Sequence, residues 1–413
     1  MLAEALLEFK IPYVLLVRNK ARTSASWSDN TASEVVMHEC SPYTIEGIEA
    51  YLQTLGPLPV RGVLCALDPL MPIAAHFAQR YSVPFTWPEA ILRWTDKGIS
   101  RRFCLAANLP VPHFRWVDAT DETSLASWTH YPAIIKPRHS SGSLGTKRVN
   151  SMEEVIRFFS HLHKSFSPDD WLIEELLSGA IYSVEGYMCK GELHFLGISD
   201  RTWGPQPYFV EDGLNFPVLQ GTALAQTLYD TAQAAIIATE YHHGFFHVEL
   251  IVHQNKPYIV ELNPRYGGRV PVMASLVFQR NFFGELFSLC CGNAPTFGLP
   301  QKGASAFYVF PHKQGVWQGF NSAICAHYPN LKVVRYNVDR KIGDVLGPVF
   351  SIRDNIMLVF FEAETAELSH AIARAFLSEV PMYLQIEPQQ SKRRTKTKPG
   401  VLAQIKRTWK GLF

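Results

Sequence analysis

Two glutamates stand twelve residues apart in the segment VELIVHQNKPYIVELNPRYGGR, residues 248–269. On both sides of the polar stretch HQNKP, apolar and polar residues alternate, which predicts two strands of an antiparallel hairpin. Such a hairpin can bring Glu249 and Glu261 to the same face of a sheet. Carboxylates placed together repel each other unless a proton or a cation lies between them, and oxygen-only ligands suit Mg²⁺ better than Zn²⁺. The segment therefore predicts a magnesium site, to which Asn263 adds a neutral oxygen, although a solvated sheet edge is the simpler interpretation of the pattern alone.

The loop after the second strand, NPRYGGR at residues 263–269, carries two arginines beside two glycines. Backbone N–H groups and guanidinium forks can hold a phosphate or a carboxylate. We therefore expect an anion site, with Arg265 and Arg269 as its cations, next to the metal site.

A second motif is the segment AIIKPRHSSGSLGTKRV, in which a predicted strand places Lys136 just before a Ser/Gly-rich stretch at residues 140–145. Glycine lets a backbone approach a polyanion, and N–H groups, serine hydroxyls and a fixed lysine can cradle phosphate oxygens. The GxxxxGK[ST] pattern of a Walker loop is absent. A flexible hairpin loop is the alternative interpretation.

A third element, WLIEELLSG at residues 171–179, runs as an apolar strand into a turn. Such an edge offers backbone donors and acceptors with apolar walls, which is what an adenine ring requires. Ordinary edge strands share this pattern.

The composition predicts a globular protein with more than one domain. With 413 residues, 47% hydrophobic and 18% charged, the chain can bury large cores and should divide into two or three domains. A formal net charge of only +2 offers no general attraction for nucleic acid. Seven cysteines without CxxC spacing favour reduced thiols, and no apolar run is long enough to span a bilayer, so we expect a cytoplasmic protein.

The order of predicted elements indicates an α/β plus α+β architecture. Over residues 1–95, MLAEALLEF, IEGIEAYLQTL and PIAAHFAQRYSV are typical of helices, and YVLLV and GVLCAL are typical of strands. A domain of two α+β subdomains follows at 96–300, of which residues 130–180 include the glycine-rich loop. We expect a further α+β subdomain at 301–388 and a basic tail at 389–413.

Taken in chain order, Lys97, Lys136, the EELL stretch and the hairpin with its closing ELNPR resemble the ATP-grasp superfamily, specifically its carboxylate-amine ligases, which include L-amino acid ligases. The resemblance covers about residues 40–380. It implies a preceding α/β domain, two α+β subdomains that grip ATP, and a C-terminal extension. It also implies ATP and Mg²⁺, or alternatively Mn²⁺, as cofactors. The residues implied to contact ATP are Lys97, Lys136, Ser140, Ser141, Gly142 and Gly145, with Glu174, Glu175 and Leu177 as the adenine hinge; those implied to hold the metal are Glu249, Glu261 and Asn263.

The resemblance further implies a chemistry. A substrate carboxylate attacks the γ-phosphate of ATP, and an amine then displaces phosphate from the acyl phosphate to leave an amide. Lys136, Glu261 and Arg265 are the expected catalytic residues, because lysine, arginine and the metal ion that Glu261 helps to hold must offset the charge gathering among several anionic groups. Residues 140–145 are the expected lid, which keeps water away from the acyl phosphate.

The stretch SDRTWGPQPYFVEDGLNFP, residues 199–217, resembles the segment over the acceptor pocket of amino-acid ligases. We expect Glu211 to bind a substrate ammonium, and Arg265 and Arg269 with the backbone of Gly267 and Gly268 to bind a substrate carboxylate. A surface loop with locally packed aromatic residues is the alternative. His242, His243 and His247 lack the spacing of a zinc site.

Two features depart from the family pattern. Some relatives place a glutamate shortly after the hinge to bind the ribose hydroxyls, whereas Ile181 stands there in SGAIYSVE and leaves Glu185 as the candidate substitute. The preceding domain of relatives usually opens with a strand and a glycine turn, whereas this chain opens with the predicted helix MLAEALLEF. We expect that the native start lies upstream or that the domain has lost its first strand.

The expected partners are small carboxylate and amine substrates, not nucleic acid, and a homodimer is a further expectation. The basic run KRRTKTK at residues 392–398 belongs to a solubilising tail or contacts an anionic membrane. Two other functions stay open: a ligase with a thiol or carbamate-type acceptor, and a non-catalytic nucleotide sensor. A sensor does not need the full metal and phosphate set, which comprises Glu249, Glu261, Asn263 and Arg265.

Overall fold

The computed structural model describes residues 13–17, 35–39, 43–118, 121, 123, 125, 127–139, 145–160, 170–203, 210–337, 339–349 and 352–389. The predicted helix MLAEALLEF, the basic run at 392–398, and Ser140, Ser141 and Gly142 therefore lie outside the described residues. Within the described part, no helix combines the length and the apolar content needed to cross a bilayer.

A small α/β layer comes first. Strand β1 (Tyr13–Val17) pairs in parallel with β2 (Val35–Glu39), and helices α1 (Ile45–Thr54) and α2 (Met71–Arg80) follow. The prediction of a strand over residues 62–67 is wrong, because this segment has irregular backbone. A Cβ added at Gly62 would lie 2.7 Å from the carbonyl oxygen of Cys290, so the segment packs here against the backbone of a distant part of the chain.

A four-stranded antiparallel sheet follows helices α3 (Pro88–Thr95) and α4 (Lys97–Ala106). Its strands, in the order β3-β6-β4-β5, are β3 (Phe114–Val117), β4 (Ala133–Pro137), β5 (Lys147–Val149) and β6 (Trp171–Glu175). Helix α5 (Met152–Ser160), between β5 and β6 in the chain, buries Val155 and Phe159 against this sheet. The predicted succession of strand, loop and strand around Lys136 is confirmed.

The next elements build most of a larger sheet and its helical cover. In chain order they are β7 (Ala180–Cys189), β8 (Glu192–Trp203), β9 (Glu211–Phe216), α6 (Ala223–Ala238), β10 (Gly244–His253), β11 (Lys256–Asn263), α7 (Val270–Phe278) and α8 (Phe282–Cys290). The stretch at 199–217 is therefore strand at both described ends, with residues 204–209 outside the description.

The remaining elements are β12 (Gly303–Val309), β13 (Gly315–Phe320), β14 (Leu331–Tyr336), β15 (Val345–Leu346), β16 (Met357–Ala363), α9 (Ala366–Glu379) and β17 (Leu384–Glu387). Eight strands form one antiparallel sheet in the order β11-β10-β7-β8-β9-β12-β16-β14, and β15-β13-β17 form a smaller one. The large sheet thus continues across residue 300, where the sequence suggested a subdomain boundary.

The predicted hairpin is formed by β10 and β11. Gln254 and Asn255 have φ of 48° and 63°, and a two-residue type I′ turn requires this left-handed conformation at both central positions. Glu249 lies directly opposite Glu261, which confirms that the two share a face. Val248 and Leu250, both fully buried, face the core beside α6. The partner of the next residue shifts from Val260 to Ile259, so Val260 forms a β-bulge.

Candidate active site

Polar side chains line the face of the large sheet opposite the α6 core. Directly opposed residues share a face, and side chains alternate along each strand. The register therefore gives two adjacent rows across β7, β10 and β11: first Glu185, His247 and Asn263, then Ser183, Glu249 and Glu261. The hairpin prediction covered two of these strands, and the tertiary structure adds the third.

The two glutamates predicted to hold the metal each contact a cation. Arg201 Nη2 donates to Glu249 at 2.6 Å, and Lys97 Nζ lies 2.8 Å from Glu261. Burial acts to raise the pKa of Glu249, but the charges of Arg201 and His247 outweigh it, so the net shift is strongly downward and the carboxylate is ionised.

The oxygen donors on this face suit a hard divalent cation. Among the described residues, no three His, Cys, Asp or Glu side chains converge as a metal cluster. Two carboxylates and the Asn263 amide oxygen nevertheless fit Mg²⁺, which commonly takes one or two carboxylates and completes its octahedral shell with phosphate and water oxygens. These three side chains could therefore hold the predicted ion.

His247 bridges two glutamates on this same face of the sheet. Its Nδ1 lies 2.7 Å from Glu185 and its Nε2 lies 3.1 Å from Glu249. Burial acts to lower the pKa of His247, but Glu185 and Glu249 outweigh it and raise the pKa to about 9. Glu185, which is 1% exposed, also accepts from the Ser199 hydroxyl at 3.0 Å. This geometry favours a supporting role for Glu185 over the predicted ribose contact.

Arg201 links the metal face to the predicted acceptor site. Besides Glu249, its Nη2 lies 2.7 Å from His247 Nε2, and its Nη1 donates to Glu211 at 3.2 Å. Its Nε is buried without a hydrogen-bond partner among the described residues. Glu211 also pairs with Arg269. We call these five side chains the Arg201 network: Arg201, Glu211, His247, Glu249 and Arg269.

Of the residues predicted to bind a substrate carboxylate, Arg269 belongs to this network, and Gly267 and Gly268 come directly before it in the chain. Arg269, the residue before α7, stacks over the Tyr308 ring at 5.0 Å, and burial lowers its pKa to about 10. A Cβ at Gly267 would lie 2.9 Å from His247 Nδ1, whereas Gly268 has open space around it. Glu211, predicted to bind an ammonium, already has two arginine partners, so a substrate ammonium must share this carboxylate.

A second cluster of charges lies between the four-stranded sheet and α4. Glu174 accepts from Arg101 Nε at 2.9 Å and lies 2.5 Å from Lys136 Nζ. Burial lowers the pKa of Lys136, although the charge of Glu174 acts to raise it. Burial acts to raise the pKa of Glu174, but the charges of Arg101 and Lys136 outweigh this effect, so the pKa of Glu174 is lowered. Arg101 also donates to the Val260 carbonyl, at the bulge, at 2.6 Å. We call Arg101, Lys136 and Glu174 the Glu174 cluster; it holds one more cation than anion.

The other predicted nucleotide contacts lie near the ends of strands in the four-stranded sheet. The Glu175 carboxylate accepts from the backbone N–H of His113 at 2.8 Å, and Leu177 is half-buried two residues beyond β6. Gly145, at the end of the glycine-rich segment, has a φ of 78°, and an added Cβ there would lie 2.9 Å from the Pro137 ring. Glycine is required at that position for both reasons.

The Arg265 guanidinium pairs with a carboxylate from the N-terminal layer. Its Nε and Nη2 donate to the two oxygens of Asp68 at 2.8 and 2.5 Å. Asp68, Arg201 and His247 are the site residues that sequence reasoning missed. His247 stands two positions before Glu249, so strand alternation could have found it. Arg201 lies in the stretch 199–217 that was predicted to cover the acceptor pocket, although only Glu211 was singled out there, and nothing in the sequence around Asp68 points to the site.

The three neighbouring histidines do not converge. The rings of His242 and Trp87 stack with centroids 4.2 Å apart, and His243 Nε2 lies 2.9 Å from the Leu289 carbonyl oxygen. His247 alone faces the polar rows of the large sheet.

Sequence comparison identifies one domain family. Residues 129–272 match the ATP-grasp domain. An uncharacterized protein of Sinorhizobium fredii is 26% identical over 239 residues, which cover 56% of this chain and 49% of that protein. The carbamoyl phosphate synthase large chain of Beutenbergia cavernae is 25% identical over 290 residues, which cover 65% of this chain and 25% of that protein. The matches thus span half or less of the length of these relatives.

Structural comparison extends over nearly the whole chain. An L-amino acid ligase from Bacillus licheniformis superposes with a TM-score of 0.78 at 18% identity, covering 94% of this chain and 95% of the other. A likeness at this identity identifies the fold alone. The mixed α/β fold is that of ATP-grasp proteins, and residues 129–272 of this chain form an ATP-grasp domain, which confirms the recognition made from the sequence.

Proposed function

We propose that this chain is an ATP-dependent carboxylate-amine ligase. It forms an amide through an acyl phosphate, releases ADP and phosphate, and uses an amino acid as one substrate. The supporting observation is the pair Glu249 and Glu261, directly opposed on one sheet face with Arg201 and Lys97 in contact. Opposed carboxylates balanced by cations can hold a metal ion that in turn binds phosphate oxygens.

The cations are proposed to offset the charge that builds up during phosphoryl transfer. Lys97 and Lys136 bind phosphate oxygens, and Arg265 stabilises the transferring group. The excess positive charge of the Glu174 cluster supports this role for Lys136, because a phosphate would neutralise it. Mg²⁺, held by Glu249, Glu261 and Asn263, supplies Lewis acidity at the phosphates.

The nucleotide is proposed to lie along the end of β6. The backbone of Glu174, Glu175 and Leu177 borders the adenine, since the Glu174 side chain is engaged by Arg101 and Lys136. The segment 140–145, with Ser140, Ser141, Gly142 and Gly145, closes over the phosphates. Closure excludes water, which would otherwise hydrolyse the acyl phosphate before the amine arrives.

The acceptor is proposed to bind at the Arg201 network. Glu211 binds a substrate ammonium, and Arg269 with the backbone of Gly267 and Gly268 binds a substrate carboxylate. Arg269 is 7% exposed and partnered by Glu211, so its charge is already oriented toward this site. The two opposite charges suit a zwitterionic amino acid.

The test is amino-acid-dependent ATP turnover. Purified protein is given Mg-ATP with pools of amino acids; ADP and phosphate are measured, and positive pools are searched for a product one water lighter than its parents. Glu261→Ala should be inactive, whereas Glu192→Ala, a change at a residue whose side chain is 83% exposed at the start of β8, should be fully active. Equal turnover in Glu261→Ala, or none in any pool, would reject the assignment.

A carbamate-type reaction is the second candidate. The similarity over 290 residues to a carbamoyl phosphate synthase large chain favours it. One additional pool, bicarbonate with ammonium, separates the two: stimulation there without stimulation by any amino acid would move this candidate ahead.

A further inference from the structure

The side chain of Arg265 is held by a residue 197 positions away in the sequence. Asp68 opens a 3₁₀ turn, Asp68–Leu70, whose second residue is a proline, and α2 follows at once. Its side chain is 12% exposed and that of Arg265 is 16% exposed, so the pair is largely withdrawn from water. A bidentate pair of this kind fixes orientation as well as charge.

The remaining contacts of Arg265 show which way its free edge points. A guanidinium has five N–H donors. Nε and one Nη2 proton form the edge bound by Asp68, and Nη1 donates to the Tyr266 carbonyl at 3.0 Å. Nη2 also lies 3.5 Å from Asn263 Oδ1. The Nη1–Nη2 edge therefore points toward the oxygens proposed to hold Mg²⁺.

Electrostatics agree with this orientation. Burial acts to lower the pKa of Arg265, but Asp68 first, and then Glu261 and Glu249, outweigh it and raise the pKa. Arg265 is thus close enough to both glutamates of the metal face to interact with their charges. Asp68 neutralises the edge away from the site, while on the edge that faces the site the contact of Nη2 with Asn263 Oδ1 is long, at 3.5 Å, and an anion could replace it.

We propose that Asp68 is a positioning residue that clamps one edge of Arg265 so that the other edge meets the γ-phosphate of ATP. This inference rests on the proposed function. It makes the N-terminal α/β layer part of the reaction centre, because a shift of the turn at Asp68–Leu70 moves Arg265 with it. Side chains that are held in advance lose less free energy on binding than side chains that must be ordered.

The experiment compares two nucleotides that differ in the γ-phosphate. Dissociation constants of Mg-ADP and of the Mg complex of the non-hydrolysable analogue AMP-PNP are measured by calorimetry. We expect Asp68→Asn to raise the dissociation constant of AMP-PNP about tenfold and that of ADP less than about twofold, because the clamp acts on the γ-phosphate contact alone. On an Arg265→Ala background, Asp68→Asn should cause no further loss.

A matched control is available in the same layer. Glu49 pairs with Arg80 at 2.7 Å, another carboxylate–arginine pair that joins α1 to α2. Glu49→Gln should leave both affinities unchanged. Asp68→Glu, which keeps the charge but lengthens the side chain, should also weaken the binding of AMP-PNP more than the binding of ADP.

Three outcomes would overturn the inference. An unchanged AMP-PNP affinity in Asp68→Asn, while Arg265→Ala loses it, would reject the clamp and leave the proposed ligase intact. Equal losses for both nucleotides in Asp68→Asn and Asp68→Glu would mark a structural residue. Failure of the unmodified protein to bind either nucleotide would reject the proposed function and the clamp together.

Discussion

The Glu174 cluster and the Arg201 network are both built from carboxylates that each have two cationic partners, but they differ in burial. The side chains of Arg101, Glu174 and Lys136 are 0%, 4% and 8% exposed, and two cations share one carboxylate. In the Arg201 network, Arg201, Glu249 and Glu211 are 13% to 18% exposed, whereas His247 and Arg269 are 6% and 7% exposed, and each glutamate again has two cationic partners. The buried cluster should therefore matter most for stability, and the network on the open face most for activity.

The largest expected effect is on stability, from Glu174→Gln. Glutamine keeps the shape of the side chain but leaves two buried cations without a counter-charge, which should cost about 3–5 kcal/mol of unfolding free energy. Urea denaturation measures it. Glu175→Gln, at the adjacent half-buried position, should cost less than about 1 kcal/mol, because the Glu175 carboxylate accepts from one backbone N–H and glutamine can still accept there. Equal losses would remove the distinction between the two regions.

The next effect is on activity, from Arg201→Ala. Loss of this guanidinium leaves Glu249 and Glu211 with one partner fewer each, so amino-acid-dependent ADP release should fall about a hundredfold. The unfolding free energy should change by about 1.5–3 kcal/mol, less than for Glu174→Gln. Arg374→Ala, at a 55% exposed arginine that lies 3.9 Å from Asp212, should leave turnover unchanged. A large stability loss with normal turnover would reverse the comparison.

The third effect is the pH dependence of the stability that His247 contributes to the network. The pKa of His247 is raised from 6.5 to about 9 in the folded protein, so its contribution is complete below about pH 6.5 and is lost as the pH rises through about 9. The difference in unfolding free energy between the unmodified protein and His247→Gln should therefore shrink by roughly 1–3 kcal/mol between pH 6 and pH 9.5. A pH-independent difference for His247→Gln would contradict a raised pKa.

The smallest effect should come from two neighbouring glycines. Gly267→Ala places a Cβ 2.9 Å from His247 Nδ1 and from a Val270 methyl, and should cost about 1–2 kcal/mol of unfolding free energy. Gly268→Ala meets nothing within 4 Å and should be neutral or stabilising by about 0.5 kcal/mol. Thermal denaturation of both variants distinguishes them. Equal melting temperatures would show that the loop yields around His247, and the network would then be looser than its contacts suggest.

Much of the hairpin was predictable, whereas its partners were not. The alternation on both sides of HQNKP predicted β10, β11 and the shared face of Glu249 and Glu261. The bulge at Val260 was not predictable, because a bulge depends on what the freed carbonyl meets, and here it accepts from Arg101. The strand expected at 62–67 failed for a related reason: its apolar run is real, but it pairs with no strand among the described residues.

The sequence by itself determined the ATP-grasp elements, their order and the side chains most suited to a metal and phosphates, because alternation, turn chemistry and motif order are local properties. Only the tertiary structure decided which charges neutralise each other. Asp68 and Arg265 are 197 positions apart, and Arg101 and Glu174 are 73 apart. Ion pairs between such distant residues depend on how layers pack, and local sequence carries no record of that geometry.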